Sequence, residues 1–216
     1  MSPYVRKVRV LMAEKGLAYN HDQVNPFKPP PDFETISPLK RIPVLRDEGD
    51  GANVTIPDSS VICAYLERKH PTPSLYPSAP VDYARALWLE EYASSDFARV
   101  GAVTVFQPVV LKRIMRQESD FAAAKEGWEQ KVPPFFDYFE RELGDRTHFV
   151  GDKLSIADIA IASPFVNLAH AGFVPDSGRH PHLSRFVKAM HARPSFAACI
   201  EEECKGLSRL GLKYAS

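Results

Sequence analysis

The chain has 216 residues, of which 27 are basic and 27 acidic, and its mean hydropathy is -0.24. This composition is ordinary for one or two globular domains, and it excludes the strong net charge that attracts nucleic acid or an anionic membrane. Three cysteines without a close pair exclude a disulfide framework and a four-cysteine metal site, and they favour a reducing cytoplasm. The longest nearly uncharged stretch, residues 159–178, contains two prolines, so no membrane span is expected.

The prolines are distributed unevenly along the chain. Of the 19, 12 lie in the first 80 residues and 7 in the remaining 136. This asymmetry predicts two domains that are built differently.

The first 70 residues have the pattern of a small mixed α/β domain. Residues 3–15 predict an amphipathic helix that ends at Gly16, because the apolar side chains recur with helical spacing. Residues 19–24 predict a short strand. Residues 42–45 and 54–56 predict an antiparallel hairpin around the Gly49-Asp50-Gly51 turn.

A helix start and a linker follow the hairpin. Asp58 and Ser59 are typical of a helix N-terminus, and the helix is expected to continue to Lys69. Residues 71–80 contain four prolines and predict an interdomain linker.

Residues 81–216 are expected to form an all-α bundle of about five helices. Helical periodicity extends over residues 81–116 and again over residues 121–143. Ser155 and Asp158 predict a capping box, with Asp in the position where Glu or Gln is usual. The last two helices are expected near residues 182–192 and 195–207.

Ser2 is the first candidate for chemistry, because it directly precedes the predicted helix. A hydroxyl there lies beside unpaired N–H groups at the positive end of the helix dipole. An anion is stabilised at this position, and a thiolate gains most because its pKa near 8.5 is within reach of neutral pH. An ordinary N-cap is the alternative interpretation.

Two further pairs of residues suit the recognition of a peptide. A cis bond between Ile42 and Pro43 turns the backbone of Ile42 outward, where it can pair with an extended ligand. At a helix start, Asp58 can hold an ammonium group and Ser59 a carboxylate. Each pair taken alone also fits a purely structural role.

Taken together and in order, these motifs resemble the bacterial serine-type members of the cytosolic glutathione transferase family. The motifs are Ser-Pro-Tyr at 2–4, Lys-Arg-Ile-Pro-Val-Leu at 40–45, Asp-Ser-Ser at 58–60 and Phe-Val-Gly-Asp-x-x-Ser-Ile-Ala-Asp at 149–158. The resemblance spans nearly the whole chain. It implies a thioredoxin-like α/β domain over residues 1–70 and an all-helical domain over residues 81–216.

The resemblance also implies a binding site for glutathione, which is the co-substrate of the family. Ser2 matches the residue that stabilises the glutathione thiolate, Ile42 with the cis Pro43 matches the contact to the cysteinyl part, and Asp58 and Ser59 match the γ-glutamyl contacts. Lys40 or Arg41 is expected to reach the glycine carboxylate. We also expect a pocket for a small hydrophobic electrophile. The side chains that could line it are Tyr4, Tyr92, Phe97 and Phe106, although core packing is an equally good explanation for them.

The resemblance leaves the reaction partly open. Serine cannot form a mixed disulfide, so disulfide reduction is disfavoured. A glutathione-dependent isomerase of the maleylacetoacetate type is the nearest alternative, although its Ser-Ser-Cys pattern is replaced here by Ser2-Pro3-Tyr4. A non-catalytic interaction protein with the same fold is the alternative from another class. We expect a homodimer, no metal, no nucleic acid and no membrane partner.

The remaining features have simple interpretations. Family members carry a strand before the Ser-Pro-Tyr position, whereas here Met1 directly precedes Ser2, so the sequence starts late, is a trimmed form, or forms a rearranged sheet. Without that strand we expect Ser2 to be less firmly held. His180 and His182 lack a third metal ligand. Cys63 is expected in the core, and residues 201–203 are expected on a solvated helix face.

Overall fold

The computed structural model of the protein describes residues 1–49, 51 and 53–215. The first 70 residues form two strands and three helices: α1 (Pro3–Glu14), α2 (Phe33–Ile36), β1 (Leu45–Asp47), β2 (Val54–Ile56) and α3 (Ser59–Lys69). The strands are antiparallel, and Leu45 lies opposite Ile56. The hairpin prediction is therefore confirmed, although Asp50 of its turn lies outside the described residues. In this register Val44 falls opposite Pro57, which has no N–H to donate, so the ladder begins at Leu45.

The strand predicted over residues 19–24 is wrong. Residues 19–23 are exposed, and within the described chain no backbone group of residues 19–24 makes a backbone hydrogen bond. In that part of the molecule β1 and β2 pair only with each other. An extended segment without a neighbouring strand cannot form a ladder.

Both predicted helices of the first domain are confirmed. Ser2 is the N-cap of α1, and Gly16, which follows the C-cap residue Lys15, takes a φ of 65°, a conformation that suits glycine. Asp58 is the N-cap of α3.

The second part of the chain is helical. The long helix α4 begins as Pro80–Tyr92 and continues to Ile114 through two wide π-helical segments, Ala93–Phe97 and Ala102–Leu111. Pro108 lies in the second of these segments, where it interrupts the regular hydrogen bonds of an α-helix. The remaining helices are α5 (Phe121–Gln130), α6 (Pro133–Leu143), α7 (Ile156–His170), α8 (Pro181–His191) and α9 (Pro194–Ser208).

Residues 121–143 form two helices rather than the single one predicted. Pro133 and Pro134 have no N–H to continue the hydrogen bonds of α5, so Pro133 begins a new helix, where proline is well tolerated.

Helix α7 lies at the centre of the molecule, and every one of its residues is buried. The Asp158 carboxylate accepts hydrogen bonds from Ser155 N at 2.8 Å, Ser155 Oγ at 3.0 Å and Phe149 N at 2.8 Å, which confirms the predicted capping box. Helix α1 packs on α7 and α9 as well as on α3, so a single hydrophobic core extends through both parts of the chain. Within the described chain, no helix combines the length and apolar character needed to cross a membrane.

Candidate functional site

Ser2 lies at the amino end of α1, half-buried. Its Oγ accepts a hydrogen bond from Val5 N at 3.4 Å, and its carbonyl oxygen accepts one from Arg6 N at 3.0 Å. Among the described residues the hydroxyl donates to no protein group, so its proton can be given to a bound anion.

The start of α3 presents a second set of polar groups. One oxygen of the Asp58 carboxylate accepts hydrogen bonds from Ser60 N at 2.9 Å and Val61 N at 3.1 Å. Asp58 is exposed, whereas Ser59 is buried. The other carboxylate oxygen of Asp58 accepts nothing from the described part of the chain and can hold a cationic group.

The loop before β1 carries the third group of predicted residues. The peptide bond between Ile42 and Pro43 is cis, and both residues are half-buried. The Ser37 hydroxyl fixes this loop, since it accepts from Arg41 N at 3.0 Å and donates to Arg41 O at 2.9 Å. Lys40 and Arg41 are exposed, and Lys40 forms an ion pair with Glu34.

Tyr4 lies in the first turn of α1, two residues after Ser2, and is half-buried. Burial raises the pKa of its hydroxyl; among nearby charges Arg41 and Arg99 lower this pKa, and Asp58 raises it. The hydrogen bond from Lys7 Nζ to Ser60 Oγ at 2.8 Å holds α1 against the start of α3.

A narrow crevice separates the start of α1 from α4 and α7. Most of its lining side chains are small, which lets the helices approach closely. The crevice is lined by Pro3, Tyr4, Lys7, Ser94, Ala98, Ala160, Ser163 and Pro164, and it continues past Gly101, Ala102 and Asn167.

Three of the four predicted pocket side chains lie elsewhere. Phe97 is fully buried, and its ring packs against four phenylalanines of the helical bundle. Tyr92 packs against Trp88 and against rings of α6, and Phe106 is buried. Of the four, only Tyr4 lines the crevice in the described structure.

Sequence reasoning missed two buried cations near the site. Arg6 and Lys7 are each 1% exposed, although the helical pattern places them outside the apolar stripe of α1. Arg6 donates to Glu203 Oε2 at 2.6 Å, and His170 Nε2 lies 2.9 Å from the same oxygen. The solvated face predicted for residues 201–203 is therefore wrong at Glu203, which is half-buried and paired with these partners. The sequence offers no clear signal for the burial of these two cations, because α1 also carries the charged residues Arg9 and Glu14.

In the described structure the residues that line the crevice beside Ser2 include no cysteine and no histidine. Cys63 is fully buried, as predicted, and burial raises the pKa of its thiol to about 12. The His180 ring lies 2.7 Å from Asp137, and within the described chain no group of three potential ligands could hold a metal ion.

The comparisons with known proteins now give the class of the protein. Residues 1–74 match the family model of the glutathione S-transferase N-terminal domain, and residues 108–203 match that of the C-terminal domain. The crystal structure of a glutathione S-transferase from Rhodospirillum rubrum F11 superposes with a TM-score of 0.80 at 30% identity, covering 90% of this chain and 86% of that one. The chain belongs to the glutathione S-transferase family. The predicted family and fold class are thus confirmed.

Two curated relatives align with most of the chain. FtsZ-localized protein A of Caulobacter vibrioides is 26% identical over 96% of this chain and 91% of its own length. Maleylacetoacetate isomerase of Rattus norvegicus is 28% identical over 88% of this chain and 84% of its own length.

Proposed function

We propose that the protein is a glutathione transferase that activates the glutathione thiol for attack on a small hydrophobic electrophile. The observation that carries this proposal is the Ser2 hydroxyl, which caps α1 and has its own proton free among the described residues. A hydrogen bond from this hydroxyl and the positive end of the helix both stabilise a thiolate. The nucleophile belongs to glutathione, and Ser2 acts as a donor to it.

The remaining predicted residues suit the rest of the tripeptide. We propose that Asp58 and Ser59 bind the γ-glutamyl end and that the backbone of Ile42, next to Pro43, contacts the cysteinyl part. Arg41 is better placed than Lys40 for the glycine carboxylate, because Lys40 is already paired with Glu34.

The electrophile is expected at the mouth of the crevice beside Tyr4. A tyrosine phenol is protonated at neutral pH, and burial raises the pKa of Tyr4 further, so Tyr4 can donate a hydrogen bond to a substrate oxygen. Conjugation of such compounds is a detoxifying reaction.

Calorimetric titration with reduced glutathione tests the proposal directly. We expect saturable binding by the wild-type protein, and an absence of binding at millimolar glutathione would exclude the proposed function. A conjugation assay with a chloronitrobenzene then tests transfer. Turnover of a cis-alkene dioate instead would favour an isomerase, an activity named for the rat relative.

We also propose that the protein is a cytoplasmic homodimer. The amino-terminal half of α4 exposes apolar side chains that a second copy would cover: Val81, Tyr83, Leu87 and Trp88. All three cysteines are free, which suits a reducing compartment. Light scattering after size-exclusion chromatography should give twice the mass of the chain, and Trp88→Glu should reduce it to the mass of one chain.

A non-catalytic binding protein is the second candidate, because a relative that aligns with almost the whole chain is named for a localisation rather than a reaction. Thermal melts with and without glutathione distinguish the two candidates. Glutathione at about 100 times its dissociation constant should stabilise a protein that binds it by roughly 2.7 kcal/mol. A non-catalytic relative that has lost the site would melt at the same temperature with and without glutathione.

A further inference from the structure

Lys7 is a fully buried cation to which the proposed reaction gives no role. Lysine is rarely buried unless its charge is paired. Its ammonium has three donors, and three acceptors surround it: Ser60 Oγ at 2.8 Å, Glu90 Oε1 at 2.9 Å and Ser94 Oγ at 3.2 Å.

These acceptors come from two different parts of the chain. Ser60 lies in the first turn of α3, next to the residues assigned to the γ-glutamyl end of glutathione. Glu90 and Ser94 lie on α4, and the Glu90 side chain is only 4% exposed. The Tyr76 hydroxyl donates to the second oxygen of Glu90 at 3.4 Å. Lys7 therefore connects the start of α3 to a fixed charge in the helical part of the molecule.

Ser60 extends this connection to the predicted site. Its side chain accepts from Lys7, while its backbone N–H donates to the Asp58 carboxylate at 2.9 Å. Two consecutive hydrogen bonds thus lead from the buried ammonium to Asp58.

We propose that Lys7 is a positioning residue for glutathione, which holds the first turn of α3 through Ser60 so that Asp58 and Ser59 meet the γ-glutamyl end. This inference rests on the proposed function. A buried ion pair adds little net stability, because the loss of hydration offsets the attraction between the charges. The contribution of the Lys7–Glu90 pair is then the fixed location that it gives to Ser60.

Two matched variants test this role. Ser60→Ala and Ser94→Ala each remove one hydroxyl acceptor from the same ammonium and leave the pair with Glu90 intact. We expect both variants to melt at similar temperatures. In calorimetric titrations Ser60→Ala should raise the dissociation constant for reduced glutathione about three- to tenfold, the equivalent of one hydrogen bond, and Ser94→Ala should change it less than twofold.

A double-mutant cycle distinguishes positioning from direct contact. The variant Lys7→Met/Glu90→Gln removes both charges together, so neither is left buried and unpaired. It should bind glutathione as weakly as Ser60→Ala, and adding Ser60→Ala to it should cause no further loss. An undiminished effect of Ser60→Ala in that background would overturn the inference, since Ser60 would then act on glutathione by itself.

The remaining outcomes are also decisive. The inference, but not the proposed function, would be overturned if Ser60→Ala bound glutathione as tightly as wild type. Equal losses of glutathione affinity in Ser60→Ala and Ser94→Ala would have the same consequence. Failure of the wild-type protein to bind glutathione would overturn the proposed function as well. Where the double variant fails to fold, the two serine variants can still overturn the inference, through an unchanged affinity of Ser60→Ala or through equal losses in both variants.

Discussion

The Ser2 hydroxyl accepts only a long hydrogen bond, 3.4 Å from Val5 N, so it is a weak cap for α1 with a proton to spare. We expect Ser2→Ala to lower kcat/KM for conjugation about 10- to 100-fold at neutral pH, the equivalent of one hydrogen bond to a charged group. The loss should shrink at alkaline pH, because the glutathione thiol then ionises without help.

The pH profile of kcat/KM measures this effect. Without the hydroxyl the pKa of the bound thiol rises, so the acidic limb of the profile should move to higher pH. Ser2→Thr keeps the hydroxyl and should keep the wild-type limb. Identical profiles for Ser2→Ala and wild type would remove Ser2 from the reaction.

For single residues, the sequence predicts those roles that depend only on residues nearby in the chain. Ser2 and Asp58 were found because N-caps are local features of a helix start. The burial of Arg6 and Lys7 could not be predicted, since Glu203 and Glu90 lie far away along the chain. The burial of Phe97 could not be predicted either, because it depends on which face of α4 packs against the other helices.

Between elements, the crossing of α5 and α4 depends on one glycine. A Cβ atom on Gly127 would lie 2.6 Å from Thr104 Cβ and closer still to the Thr104 carbonyl oxygen. We expect Gly127→Ala to lower the free energy of unfolding by about 2 kcal/mol, because overpacking outweighs the better helix propensity of alanine.

Urea denaturation measures this change. Gly206→Ala is the matched control, since Gly206 lies in α9 with open space around it. That variant should be stabilised by about 0.5–1 kcal/mol. Equal effects of the two substitutions would contradict the close approach of α5 and α4.

The attachment of α9 to α1 depends on an ionised carboxyl group. Burial opposes ionisation of Glu203, but the Arg6 charge and a hydrogen bond from His170 lower its pKa from 4.5 to about 2. A carboxyl that is more acidic in the folded chain stabilises the fold above the unfolded pKa, and this contribution disappears as the pH falls from about 5 to 2. We expect a loss of about 3 kcal/mol over this interval.

Urea denaturation at several pH values isolates this contribution. Glu203→Gln should be less stable than wild type at neutral pH, and the difference between the two should narrow below pH 5. Glu201→Gln, on the exposed face of the same helix, should retain the wild-type pH dependence. Parallel curves for Glu203→Gln and wild type would contradict the assignment.

At the scale of elements, helix ends were predicted well because proline, glycine and capping residues mark them locally. The strand predicted over residues 19–24 failed for the opposite reason, since a strand exists only beside a partner. The division of residues 121–143 was signalled by Pro133 and Pro134, whose effect the apolar periodicity concealed.

In the molecule as a whole, the predicted division at residues 71–80 stays a prediction, because the core crosses it. Leu75 is buried, and its carbonyl oxygen accepts from Ile156 N at 2.8 Å. Lys15 Nζ donates to the carbonyl oxygens of His70 and Pro73 at 2.8 and 2.7 Å. The linker is thus packed between the two parts of the chain.

We therefore expect the protein to unfold in a single cooperative transition. Differential scanning calorimetry should give one peak, with a calorimetric enthalpy equal to the van't Hoff enthalpy of the cooperative unit. Two resolved peaks would mean that the α/β and helical parts are separately stable, despite the shared core.

The first wide segment of α4, Ala93–Phe97, also sets the direction of the side chains that it carries. It separates the exposed Trp88 from Ala98, which lines the crevice. The hydrogen bonds of a π-helix span one residue more than those of an α-helix, so deleting one residue would let this segment close into a regular α-helix. Ser94, whose hydroxyl accepts from Lys7 at 3.2 Å, lies in this segment, and the direction of its side chain depends on the wide turn. The number of residues in the segment therefore determines whether Ser94 can reach Lys7.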